Sequence, residues 1–181
     1  MDALVLFTWR FAEATLFFIV PDVFVAFIGL QDGGAAESAA WWAVAGSVAG
    51  GLVLAVWTRR RPSGVSDALA HVPAISGPMI DAVAVHVARS GSIAMVLGPA
   101  RGIPFKLYVN AMAERPVLVL LPLMAVARAA RMVPVAWVSG WSGRRLVDGF
   151  GLGLPTVLWL YSILTVAGYA WYFRSIRRRF G

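Results

Sequence analysis

Residues 90–139 read SGSIAMVLGPARGIPFKLYVNAMAERPVLVLLPLMAVARAARMVPVAWVS, and their interpretation decides the fold. The stretch is apolar almost throughout, yet Arg101, Lys106, Arg128 and Arg131 lie inside its apolar runs. A cation at the centre of a bilayer costs roughly 2.5–3.5 kcal/mol on insertion scales, so such residues face a cavity or a partner. The first half is also interrupted: Gly98, Pro99, Gly102 and Pro104 fall within seven residues. Proline removes a backbone donor and clashes with the preceding turn, which argues against a straight spanning helix there. Non-helical backbone survives at membrane depth only where protein buries it or water lines it. Residues 91–113 are therefore expected to form a re-entrant helix–break–helix, with 117–138 a spanning helix packed against it.

Composition sets the class. The 181 residues are 60% hydrophobic and 14% charged, whereas a soluble domain is about 25% charged. The mean hydropathy is +0.75. Eight tryptophans in an otherwise aliphatic chain suit interfacial aromatic belts. A polytopic membrane protein is expected, built from helices alone. The net charge of +7 comes from basic residues that flank apolar segments. Helix orientation by loop charge accounts for them better than nucleic-acid binding does. The absence of cysteine excludes a disulfide framework and thiolate chemistry. The start, MDALVLFTWRF, has neither a basic n-region nor a small-residue cleavage site, so no signal peptide is expected.

Working outward, residues 3–30 are apolar except for Arg10, Glu13 and Asp22. One long tilted span would fit, and so would a second broken re-entrant element. Pro21 beside Asp22 in mid-run favours the broken form, because it needs both steric and electrostatic relief. Residues 39–58 are uncharged and form the cleanest span, and Gly46 with Gly50 permits close helix approach. Arg59, Arg60, Arg61 and Pro62 end it. Within 65–90, Ile80, Val83, Ala84 and Val87 share one helical face opposite Asp81, His86 and Arg89, which suits a helix lying in the cytoplasmic interface. His71 and His86 lack the spacing of a metal pair, and no metal or cofactor is expected. The last span is 152–173, followed by Arg174, Arg177, Arg178 and Arg179, which places that end in the cytoplasm.

One unit thus occurs twice, as a broken hairpin followed by a span. The first repeat covers 11–58 and the second 91–138, with the interfacial helix 65–90 between them and the helix 152–173 after them. The hairpins near 11–30 and 91–113 would enter from opposite faces, a recurring plan in transporters.

These motifs resemble the DedA family (the SNARE-associated or VTT domain), and in particular its small YqaA-type members. Phe11-Ala12-Glu13 followed by Pro21-Asp22 and Gly29 is similar to the family's glutamate, proline-flanked carboxylate and glycine. Gly91 and then Arg101-Gly102-Ile103-Pro104-Phe105-Lys106 are similar to its R-x-x-P-x-x-R pattern. Ala127-Arg128-Ala129-Ala130-Arg131 resembles the small-plus-basic pattern of the next span. The resemblance covers roughly 11–145. It implies a multi-pass protein of the bacterial inner membrane that moves or recycles a lipid carrier such as undecaprenyl phosphate, or scrambles phospholipids.

The residues support similar chemistry independently. A lipid phosphate must shed hydration to cross, and buried cations can replace that hydration. Arg101 with Arg128 would hold phosphate oxygens, arginine being suited to bidentate contacts, with Lys106 and Arg131 adding charge. Glu13 and Asp22 would neutralise these cations when no lipid is bound. As carboxylates in low dielectric, they are also candidates for proton coupling. A Glu13–Arg101 pair that only locks the repeats together is the structural alternative. An accessory membrane subunit, its charges paired to another chain, is a second class. An enzyme acting on lipid phosphates is a third, and it lacks a nucleophile–base pair or a clustered acidic motif. The expected partners are membrane lipids, and a homo-oligomer is compatible with the sequence.

Overall fold

The computed structural model describes residues 3–16, 22–73, 75–99 and 102–180. These residues are helical, without a strand among them. Helix α1 is Ala3–Ala14, α2 is Asp22–Gln31 and α3 is Gly33–Arg60. Helices α4 (Pro62–Ala70) and α5 (Gly77–Ser90) lead to α6 (Ile93–Leu97) and α7 (Phe105–Ala111). Helix α8 (Val117–Arg144) runs into a π-helical turn at Arg145–Gly149, and α9 is Leu154–Phe180. Among the described residues, three helices are long and apolar enough to cross a membrane: Gly33–Arg60, Val117–Gly149 and Leu154–Arg178.

Helix α3 is the axis on which the others are set. Asp32 caps it, its carboxylate accepting from the Gly34 amide at 2.9 Å and the Ala35 amide at 3.2 Å. Such a cap satisfies donors that have no partner inside the helix. Pro62 ends it at the other side, where it opens α4. Between these ends, the expected G-x-x-x-G is used to seat α1. A Cβ on Gly46 would lie 2.3 Å from the Phe7 carbonyl oxygen, and one on Gly50 would lie 2.4 Å from that of Phe11. The matched steps of four residues make α1 run parallel to α3.

Helix α8 runs antiparallel to α3. Gly140 meets Gly33 at one end, and Met124 meets Gly51 further along. Helix α2 runs beside α8 toward the Gly33 end, with Gly143 against the Leu30 carbonyl and Gly29 against Ser139. The span expected at 117–138 therefore continues to Arg144. Gly140 and Gly143, beyond the expected end, are contact points against Gly33 and Leu30.

The second interrupted segment enters from the other end of α3. Helix α6 ends at Leu97, the described residues 98, 99 and 102–104 lie outside the α-helices, and α7 runs beside α3. Thr58 donates to the Asn110 side chain at 3.0 Å, and Arg59 Nε donates to the Ala113 carbonyl at 2.6 Å. The break has two steric requirements. Gly102 has φ +82°, a region that disfavours side chains. A Cβ on Gly98 would fall 1.9 Å from the Tyr108 ring, so glycine leaves the space that the buried tyrosine fills.

Within 65–90, Pro73 and Pro78 confine the expected regular helix to about 79–89; that helix is present as α5, and a second short helix, α4, precedes it across a turn containing Pro73. Val65, Leu69, Met79, Val83 and Val87 bury the amphipathic face against Leu54, Met95, Leu107, Met112 and Leu120. Helix α9 packs lightly. Its Tyr161 hydroxyl donates to the Val23 carbonyl and its Tyr172 hydroxyl to the Gly102 carbonyl, both at 2.8 Å. Its helix extends past the expected 173 because the arginine-rich tail continues the helical hydrogen bonding.

Replacing Gly50 with valine drives a branched side chain into the Phe11 carbonyl and the Ala14 methyl. Gly50→Val should lower the detergent melting temperature by an amount corresponding to about 1–3 kcal/mol of overpacking. Gly168→Ala, with nothing within 4 Å of the added atom, should leave it unchanged or raise it. Thermal unfolding followed by circular dichroism checks both.

Candidate functional site

The two interrupted segments meet beside the middle of α8, and the described charged residues Arg10, Glu13, Asp22, Lys106, Arg128 and Arg131 collect there. Four described elements contribute. Helix α1 supplies Arg10 and Glu13, one helical turn apart on the face turned to α8. Helix α2 begins with Asp22, α7 carries Lys106 in its first turn, and α8 supplies Arg128 and Arg131.

Their ion pairs form an alternating row. Arg128 Nη2 donates to Glu13 Oε2 at 2.8 Å. The same Glu13 oxygen lies 3.9 Å from Arg10 Nη1, and Arg10 Nη2 lies 3.4 Å from Asp22 Oδ1. Asp22 Oδ2 in turn accepts from Arg131 Nε at 2.6 Å. The row is thus Arg128, Glu13, Arg10, Asp22, Arg131, and it ties α1 and α2 to α8. Arg131 Nη1 also donates to the Pro99 carbonyl at 3.1 Å, an acceptor exposed by the break between α6 and α7. Arg128 sits over the Phe105 ring at 4.0 Å, a cation–π contact that shields its face.

Burial makes this arrangement costly. Arg10 has no exposed surface, Arg128 is 4% exposed and Lys106 2%. Lys106 lies within electrostatic range of Glu13 and Arg128. The described cluster therefore holds four cations against two carboxylates. Some donors are also unmatched: among the described residues no hydrogen-bond acceptor reaches Arg10 Nε, Arg10 Nη1 or Arg128 Nε. A surplus of buried positive charge with spare guanidinium donors is a setting for an oxyanion, which accepts several such bonds at once. No group of three or more His, Asp or Glu suited to a metal ion occurs among the described residues.

The expected site residues distribute as follows. Lys106, Arg128, Arg131, Glu13 and Asp22 come together. Gly98, Pro99, Gly102 and Pro104 occupy the break beside them. Arg101 and Pro21 lie outside the described residues, so the expected Glu13–Arg101 pair does too; the described partners of Glu13 are Arg128 and Arg10. Arg10, at the centre of the row, had been given no role by the sequence. Its signal was available as Arg-x-x-Glu spacing within an apolar run, since residues three apart are neighbours on a helix. Tyr108 is fully buried, with His86 Nδ1 3.2 Å from its hydroxyl. This contact ties α5 to α7.

No family model, curated protein or solved structure matches the chain.

Removing one partner of a buried pair leaves an uncompensated charge, which costs about 3–5 kcal/mol. Glu13→Leu leaves Arg10, Lys106 and Arg128 short of a carboxylate and should therefore lower the melting temperature sharply, and adding Arg128→Met should recover part of the loss. Unfolding of the wild type, the two single variants and the double variant in one detergent, analysed as a double-mutant cycle, measures the coupling.

Proposed function

We propose that the chain is a membrane transporter that moves a lipid phosphate, either a polyprenyl phosphate carrier or a phospholipid, across the bacterial inner membrane. The observation that carries this is the buried excess of cations where two interrupted helical segments meet. Crossing a bilayer, a phosphate headgroup loses water, and fixed cations in a low-dielectric site replace that hydration. The lipid tail needs no such site and stays in the hydrocarbon. Arg101, Lys106, Arg128 and Arg131 are proposed to hold the headgroup. Glu13 and Asp22 balance the arginines between transport events.

The proposed architecture is a pair of inverted repeats, 11–58 and 91–138, each a re-entrant broken helix followed by a span. What supports it is the placement of the breaks. The first segment returns beside α8 toward the Gly33 end of α3, and the second returns beside α3 toward the Arg59 end. Arg59, Arg60 and Arg61 share an end of the molecule with Arg115, and the basic tail of α9 follows Ile176, which packs in the core at that end. By the loop-charge rule this end, with the C-terminus, is cytoplasmic. The resemblance to DedA proteins in these motifs agrees with the proposal. An accessory subunit would keep its cations for another chain, whereas Arg128 and Arg131 pair with carboxylates of this one.

Proton coupling enters through Glu13. Glu13 holds Arg128 at 2.8 Å, so neutralising that carboxylate in the proposed cycle would free Arg128 for the phosphate. Glu13→Gln keeps the shape and most hydrogen bonding but cannot exchange a proton. In liposomes carrying a fluorescent lipid phosphate, Glu13→Gln should support flux that no longer varies with pH, while folding close to normally. Arg101→Ala should insert normally and lose transfer. Wild-type flux in Arg101→Ala, or an unchanged pH profile in Glu13→Gln, would refute the respective role.

A further inference from the structure

The five members of the charge row are not held alike. Glu13 and Asp22 each give their short contact to an arginine of α8: Glu13 to Arg128 at 2.8 Å, and Asp22 to Arg131 Nε at 2.6 Å. Arg10 lies between them and receives only the long ones, 3.9 Å to Glu13 and 3.4 Å to Asp22. Its Nη2 rests against Met132 Sδ, and a thioether is a weak acceptor. Its Nε and Nη1 are buried without a hydrogen-bond acceptor among the described residues. Unmade bonds on a buried charged group are expensive, so a guanidinium left in this state is poised for a ligand.

We propose that Arg10 is itself a direct ligand of the anion, with Glu13 and Asp22 serving to fix Arg128 and Arg131 around it. The inference rests on the proposed function and extends it by a residue to which the family-like motifs assign nothing. The backbone supports it. Helix α1 is pressed onto α3 at Gly46, where a Cβ would come within 3.0 Å of Arg10 Cβ, so the base of the side chain is fixed. Arg10 reaches Asp22 through one long hydrogen bond at 3.4 Å and stays 3.9 Å from Glu13, so neither carboxylate holds it closely. Arg128 presents a second unmatched donor, Nε, within the same cluster. An oxyanion between the two arginines would satisfy donors on both.

The test uses the full chain purified in detergent and three soluble probes: dihexanoyl phosphatidic acid, dihexanoylglycerol without the phosphate, and inorganic phosphate. Calorimetry should show the wild type binding the phosphatidic acid and not the diacylglycerol. Arg10→Gln should bind it at least about tenfold more weakly, the factor expected from losing a charged hydrogen bond. Arg10→Lys, which keeps the charge but lacks the Nε donor, should recover part of that loss. A charge filler alone would make Arg10→Lys equal to wild type, so this variant decides the matter even if Arg10→Gln does not fold. Undiminished affinity in Arg10→Lys, or in a folded Arg10→Gln, would overturn the role of Arg10 and leave the transport proposal standing. A wild type that binds neither phosphate probe would overturn both. Binding of inorganic phosphate as tightly as the lipid, weakened alike by Arg10→Gln, would uphold Arg10 as the anion ligand and count against a lipid cargo.

Discussion

A buried charge needs a partner, and most of this fold follows from that constraint. Taking an ion out of water costs several kcal/mol even after relaxation. Arg10, Lys106 and Arg128 are almost wholly removed from surface. The chain meets the cost by threading Glu13 and Asp22 between the arginines, so that α1, α2 and α8 are joined by one row of ion pairs. The interruptions belong to the same solution. A break frees backbone polar groups, and the Pro99 carbonyl is one that Arg131 uses. Polar backbone and polar side chains are thus kept together, where each satisfies the other away from hydrocarbon.

Glycine makes the geometry reachable. The ion pairs need α1, α2 and α8 close to one another and to α3, and the contacts at Gly46, Gly50, Gly140 and Gly143 leave no room for a side chain. Where hydrocarbon tails compete equally for apolar surface, close backbone packing of this kind holds helices together. Larger side chains are reserved for the other end of the molecule. There Leu69, Met79, Met95, Leu107 and Met124 form a core that also anchors α4 and α5.

Much of this was legible before the structure. Long uncharged runs mark α3 and α9, and the Gly98–Pro104 cluster marks the break between α6 and α7. Cations within apolar runs are costly enough to be expected beside counter-ions, and Lys106, Arg128 and Arg131 do gather around Glu13 and Asp22. Pairing was not legible. Whether Glu13 meets Arg128 or another arginine depends on how α1 rotates against α3, and that rotation is fixed by glycine contacts distant in sequence. Arg10 had no role in the sequence because whether its side chain turns inward depends on the same rotation of α1 against α3. Helix α8 runs to Arg144, beyond the expected 138, because Gly140 and Gly143 pack against Gly33 and Leu30. The turn between α4 and α5 is signalled by Pro73, but the helix on its amino-terminal side is too short for periodicity to reveal.

The charge row ties α1 and α2 to α8, and in the proposed transport cycle a phosphate would take over the balancing of its cations from Glu13 and Asp22. The central claim is that this junction carries phosphate headgroups through the bilayer. The most direct measurement is transbilayer movement in liposomes containing the purified protein, comparing a polyprenyl phosphate with the corresponding polyprenol. The account predicts that the protein accelerates movement of the phosphate and leaves the alcohol at its background rate. Equal acceleration of both, or of neither, would contradict it.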